Sequence, residues 1–436
     1  MSLRLLVWLA VLVIGCFWMF RRPLVGICLN IALFPLNPGQ WGSGLEAIRW
    51  QFIATVCLAA TYLIHLRSFR KLTVKEAAPF WFLVAYLIWS LIVCMWSVHS
   101  KDVAFEETWE FAKLVFFVFL LIQIVSTEED LRIVAWAIFI SMGLKAFLDR
   151  WGTVWKIGIL ESDLSVGFLG TWLAFMLPAM WLVILAARKW PERILGIALM
   201  PFILDYFAFR GQRSAFLSLA VAAVGVLVLA PRRYRLKVAA GVAAGVVVFV
   251  GWLTPASFWE RMATITDPRS EASAMSRYTV NEASWKIIGD YPWGVAPGNY
   301  QYVSVRYLPT EIISKGTNTR AAHNTFLSVL AERGWIGFAV WLAVMGLTCY
   351  SFLRVSLNRR QAGGLPVILA RGFLIGMVSI FPALYTHQED QTDTLYWIVG
   401  LSIVVAKWYD SQSRDAVSLK QARVPEERLK RLRTVA

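Results

Sequence analysis

Apolar runs long enough to cross a hydrocarbon core of about 30 Å recur along the whole chain, separated by short polar joints. They predict helices over 3–20, 23–34, 50–66, 79–98, 108–125, 131–148, 166–187, 194–209, 214–230, 238–253, 324–352, 366–384 and 394–405. The second and last of these are short for a span. The pattern therefore reads as an all-α, polytopic integral membrane protein of about 12 transmembrane helices. One long polar interval, from Thr254 to His323, interrupts it. This insert reads as one large, partly helical loop lying over the bilayer as a lid. Helices are expected at 257–265, 271–289 and 299–307, around a turn punctuated by Pro292, Gly294, Pro297 and Gly298. The chain thus divides into N-terminal helices (1–253), the loop (254–323), C-terminal helices (324–406) and a basic tail (407–436).

Composition supports lipid as the solvent: 58% of the 436 residues are hydrophobic, above the roughly half of a soluble domain. A β-barrel would alternate in short strands instead. The net charge of +15 then means anchoring to anionic lipid heads rather than nucleic-acid binding. Lys and Arg crowd the joints 67–75, 188–193, 232–237 and 354–360, which places those joints and the tail in the cytoplasm. The insert and the turns at 37–49, 100–107, 149–165, 210–213 and 385–393 fall on the outer side. The five cysteines sit in apolar runs without disulfide or metal spacing.

Chemistry concentrates at that outer side. Arg210 and Arg213 share one short turn, against the positive-inside trend, and their guanidinium forks suit a diphosphate. Ser214 opens the next helix, where a hydroxyl and free backbone N–H groups favour an anion. A pair of interfacial arginines, or an Arg210–Asp205 ion pair, is the structural alternative. Arg277, Asn281 and Ser284 lie on one face of a predicted helix in the insert. His323 stands at the first turn of a long helix, whose positive end favours the neutral imidazole that a general base requires. A boundary histidine is also a common interfacial residue. His387, in the acidic turn 385–393, is a secondary candidate for substrate contact, as is Asn324. Arg261, Arg269, Arg306 and Arg320 are read as solvated. No Walker A run, paired outer aspartates for a metal–nucleotide sugar, GxSxG or HExxH is present, so neither nucleotide nor metal is expected.

Arg210-Gly211-Gln212-Arg213-Ser214, Arg277, Tyr291-Pro292-Trp293-Gly294 with Gly298, and His323-Asn324-Thr325-Phe326-Leu327 through Glu332-Arg333-Gly334-Trp335-Ile336-Gly337 resemble, in order, the O-antigen ligase and polymerase superfamily. The resemblance covers about residues 165–384. It implies a multi-pass glycosyltransferase of a Gram-negative inner membrane, with its active site facing the periplasm. On that resemblance Arg210, Arg213 and Arg277 bind the diphosphate of an undecaprenyl-diphosphate-linked glycan donor. His323 activates the acceptor hydroxyl or assists the departing diphosphate, and the acceptor is a lipid A-core sugar in lipopolysaccharide biosynthesis. No cofactor is implied. Polymerisation, or ligation to another acceptor, uses the same motifs. A non-enzymatic transporter of lipid-linked glycan is a third reading. It fits less well, because few charges (Lys113, Lys145, Asp205, Arg371) lie within the apolar runs.

Overall fold

The computed structural model describes residues 3–41, 44–69, 77–152, 165–265, 272–313, 319–357, 364–388 and 394–411. Arg269, Asp390, Asp393, the tail beyond 411 and parts of the basic joints lie outside the described residues. Within them all regular structure is helical: α1 (Leu3–Arg21), α2 (Leu24–Leu36), α3 (Trp50–Ile64), α4 (Ala78–Cys94), α5 (Lys101–Ile124), α6 (Glu128–Trp151), α7 (Ser165–Ala186), α8 (Trp190–Arg210), α9 (Arg213–Leu229), α10 (Arg235–Val248), α11 (Ala256–Ala263), α12 (Ala272–Asp290), α13 (Tyr300–Val303), α14 (Thr325–Ser356), α15 (Leu365–Ser379), α16 (Phe381–Thr386) and α17 (394–411). The protein is a helical membrane protein. Six of its described helices are long and apolar enough to span, and four shorter apolar helices accompany them. Length and apolarity alone therefore do not reach the expected count of about twelve.

Lipid tails are as apolar as leucine, so close packing holds such helices together. A close backbone contact joins α7 to α15. A Cβ on Gly372 would lie 2.2 Å from the Cα of Ala179, and one on Gly376 would lie 2.1 Å from the carbonyl oxygen of Phe175. These two glycines, one turn apart, let the backbones touch, and the Ser379 hydroxyl donates to the Ala174 carbonyl across the same seam. Two basic side chains of α6 are paired with carboxylates. Lys145 meets Asp149 at 2.7 Å, and Arg150 meets Asp205 at 3.3 Å. The Arg210–Asp205 pair considered from sequence is thus not formed. Asp205 is engaged from α6, while Arg210 lies over the rings of Tyr206 and Phe209.

The insert's helices fall where punctuation places them: Pro255 opens α11, and α12 ends at Asp290 before Pro292. What sequence did not reveal is how the insert is fastened. Within α14, Gly334 is non-helical (φ 64°, ψ −175°), and the helix kinks there. A kink strips carbonyls of their i+4 donors. Here the N–H groups of Val295 and Ala296 donate to the carbonyls of Ala331 and Glu332, each at 2.9 Å, and the Trp89 indole donates to that of Arg333 at 2.7 Å. The Trp335 N–H in turn donates to Pro292 at 3.2 Å. Gly294 (φ +94°) faces Gly334 so closely that a Cβ on either would sit 2.4 Å from opposing backbone. The turn and the kink are one unit. Beneath it Glu332 and Arg333 form a buried ion pair at 3.1 Å. The Arg333 guanidinium also donates to Ser90 and covers the Tyr86 ring.

Candidate active site

Three helix ends meet at one end of the bundle: the start of α9, the start of α14 and the end of α16. The α8–α9 turn is made by Gly211, left-handed at φ +54°, whose N–H donates to the Phe207 carbonyl. Gln212 precedes α9 without capping it by its side chain. Its amide oxygen points instead towards Gly170 on α7, 3.0 Å from where a Cβ would stand there. The two flanking arginines are thereby separated. Arg210 lies against aromatic rings, and Arg213 donates to the Thr264 hydroxyl at 2.8 Å, which ties α9 to the first helix of the insert.

Ser214 follows in the first turn of α9, buried, with its Oγ 2.8 Å from Nε2 of His387. His387 ends α16, and its carbonyl accepts from the Thr325 hydroxyl at 2.8 Å. That bond brings it to the opening of α14, beside His323. The backbone at His323 is left-handed (φ 49°), a bend sparsely populated by non-glycine residues and frequent at functional sites. It delivers the chain to Asn324, whose side-chain oxygen accepts from the N–H groups of Phe326 and Leu327 and caps the helix. Asn324 is therefore occupied in holding the helix start.

The insert contributes the rest. Arg277 on α12 is half-buried and acts electrostatically on both histidines. Arg320, set aside as solvated from sequence, joins it. Its guanidinium donates to Ser276 at 3.1 Å, and its backbone is held by Gln301 and Ser304. Burial, then Arg320 and Arg277, push His323 down to about 4; burial, then Arg277 and His323, push His387 down to about 4. Both imidazoles are therefore neutral at pH 7, beside guanidinium groups. Asn281, one turn beyond Arg277, is half-buried, and Arg261 is exposed, its stem close to Gly211. Arg306 shares in no bond described at this cluster. Among the described residues, no three of His, Cys, Asp and Glu come together as a metal site requires.

A cluster of guanidinium groups, an open helix start, a serine and two neutral imidazoles can bind an anion and accept a proton next to it. Residues 202–342, about a third of the chain, match the family model described as O-antigen ligase. That match supports the O-antigen ligase and polymerase superfamily. The matched stretch holds Arg210, Arg213, Ser214, Arg277, Arg320, His323 and the Gly334 kink, but not His387. No curated protein matches the chain.

Proposed function

We propose that this membrane protein, similar over residues 202–342 to the O-antigen ligase family, transfers a glycan from a polyprenyl-diphosphate donor to a hydroxyl of a lipid-anchored acceptor. The reading is an O-antigen ligase of a Gram-negative inner membrane, working on the periplasmic side with undecaprenyl diphosphate as leaving group and lipid A-core as acceptor. The observation that carries it is the placement of Arg277 beside two neutral histidines, with Arg320 beside His323 and Ser214 at the start of α9 bonded to His387.

In this reading the donor diphosphate sits among Arg277, Arg320 and Arg213, with Ser214 and the first N–H groups of α9 at its edge. Guanidinium groups keep their charge when partly buried, so they stabilise the charge that grows on the diphosphate as the glycosyl bond breaks. The acceptor oxygen attacks the anomeric carbon, the bond from that carbon to the phosphate oxygen breaks, and undecaprenyl diphosphate leaves. The hydroxyl proton passes to His323. Burial first, and the arginines second, hold that imidazole neutral. A bound diphosphate offsets their charge and raises its basicity, so the base gains strength when the donor is in place.

The test is transfer by purified protein in nanodiscs, given polyprenyl-diphosphate glycan and lipid A-core in the presence of EDTA. Capped lipid A-core supports ligation. Elongation of the donor without acceptor identifies a polymerase, and donor binding without transfer of either kind contradicts the enzyme reading.

A further inference from the structure

Ser284 lies two turns along α12 from Arg277, about 10 Å of helix, on the polar face read from sequence. The structure gives its hydroxyl another task. Ser284 is fully buried; its Oγ donates to the Val280 carbonyl at 2.8 Å and lies 2.6 Å from the Tyr300 hydroxyl. A serine has one hydroxyl proton, and Val280 takes it, so Tyr300 is the donor in the shorter bond. Burial first pushes the Tyr300 hydroxyl up to about 12, with Glu332 raising it further against the Ser284 bond and Arg320. Tyr300 therefore keeps its proton at neutral pH.

Tyr300 is itself planted on the bundle. Its buried predecessor Asn299 accepts at Oδ1 from the N–H groups of His99 at 3.1 Å and Ser100 at 2.7 Å, and from the Ser97 hydroxyl at 3.1 Å. Its amide donates back to the Ser100 carbonyl at 3.2 Å. These partners form the joint between α4 and α5. The Asn299 carbonyl then accepts from the N–H groups of Tyr302 and Val303, which starts α13. Nearer the start of α12, the Arg320 guanidinium reaches Ser276, while the backbone of Arg320 is bonded to Gln301 and Ser304 just beyond Tyr300. The anchored segment thus grips α12 at Ser276 and at Ser284, and Arg277 lies between the two grips.

We infer that Tyr300 is a positioning residue for Arg277: its hydroxyl, through Ser284, sets where α12 presents that guanidinium to a diphosphate. The inference rests on the reading of Arg277 as a diphosphate ligand. A guanidinium fork binds phosphate oxygens through two parallel bonds, so a shift of the helix that carries it weakens both. Ser284 is then a strut between helices and makes no contact with substrate.

Titration of the nanodisc-embedded full chain with polyprenyl-diphosphate glycan tests it. Tyr300→Phe and Ser284→Ala should each raise the donor dissociation constant about fivefold, and the two together no more than either alone. In an Arg277→Ala background Tyr300→Phe should add nothing, a result that a general loosening of the fold would not give. Ser379→Ala, which removes a buried hydroxyl bond at the α7–α15 seam, should leave donor affinity unchanged. Wild-type affinity in Tyr300→Phe, the same loss with Arg277 already removed, or an equal loss in Ser379→Ala overturns the inference. Absence of donor binding by the wild type overturns the diphosphate reading beneath it.

Discussion

Ser214 and His387, 173 residues apart in sequence, share a 2.8 Å hydrogen bond between Oγ and Nε2 where α9 begins and α16 ends. The bond joins the arginine turn to a histidine outside the family-matched stretch, and Thr325 holds that histidine's carbonyl from α14. If the pair orients Ser214 at the anion site, losing either partner removes the same effect. Ser214→Ala and His387→Ala are each predicted to weaken donor binding by about 1 kcal/mol, with the double variant no worse than the stronger single one. Titration of labelled donor into each nanodisc-embedded variant checks this. Additive losses would mean that the two residues act independently.

Proton linkage follows from the same cluster. His323 and His387 both fall from an ordinary value of 6.5 to about 4 in the folded protein. Between those values the unfolded chain binds more protons than the folded one, so stability rises with pH across the window. It is present above about pH 6.5 and is lost progressively as pH falls towards 4. Thermal unfolding in detergent from pH 7.5 to 4.5 should show this fall, and His323→Asn with His387→Asn should flatten it. A wild-type melting temperature that rises over the same interval contradicts the neutral, half-buried imidazoles.

The kink supports a steric prediction. Gly334→Ala places a side chain at φ 64°, with its Cβ 2.4 Å from the Trp293 carbonyl carbon. Strain and clash together should cost about 3 kcal/mol or more and release the turn that leads from α12. Gly294→Ala should behave alike, whereas Gly346→Ala, in the same long helix with open space around it, should be near neutral. Limited proteolysis of the insert reads the release. Equal resistance in Gly334→Ala and Gly346→Ala would show that the turn and kink are not one unit.

The α7–α15 seam gives a fourth. Gly376→Val puts a branched side chain 2.1 Å from the Phe175 carbonyl oxygen and should force the two helices apart. Size-exclusion profiles and melting temperatures should drop sharply relative to Gly251→Val, which meets nothing within 4 Å. Equal profiles would remove close backbone contact as the basis of that packing.

Local signals were legible, and contacts across the chain were not. Pro255, Gly289 and Pro292 punctuate the insert, so the predicted 257–265 and 271–289 lie within about two residues of α11 and α12. His323 at a helix start was readable because α14 begins with a long apolar run. The kink was hidden, since an apolar stretch resumes at Trp335 directly after Glu332-Arg333-Gly334 and a lone glycine is tolerated in a helix. Arg320 was misread as solvated because its partner Ser276 stands 44 residues earlier. Asp205 was offered to the nearest arginine in sequence, Arg210, whereas α6 supplies Arg150. Nothing local to 385–393 distinguishes His387 from any surface histidine. Only the return of α16 to α9 does.

The most direct measurement separates donor binding from transfer in wild type, Arg277→Ala, Arg277→Lys and His323→Gln, by single-turnover kinetics alongside donor titration. Arg277→Ala should weaken donor binding at least about tenfold, with partial recovery in Arg277→Lys, a point charge lacking the fork. His323→Gln should bind donor as wild type does yet transfer about a hundredfold more slowly. Wild-type transfer rates in His323→Gln, or undiminished donor affinity in Arg277→Ala, would contradict the diphosphate site and the base assigned beside it.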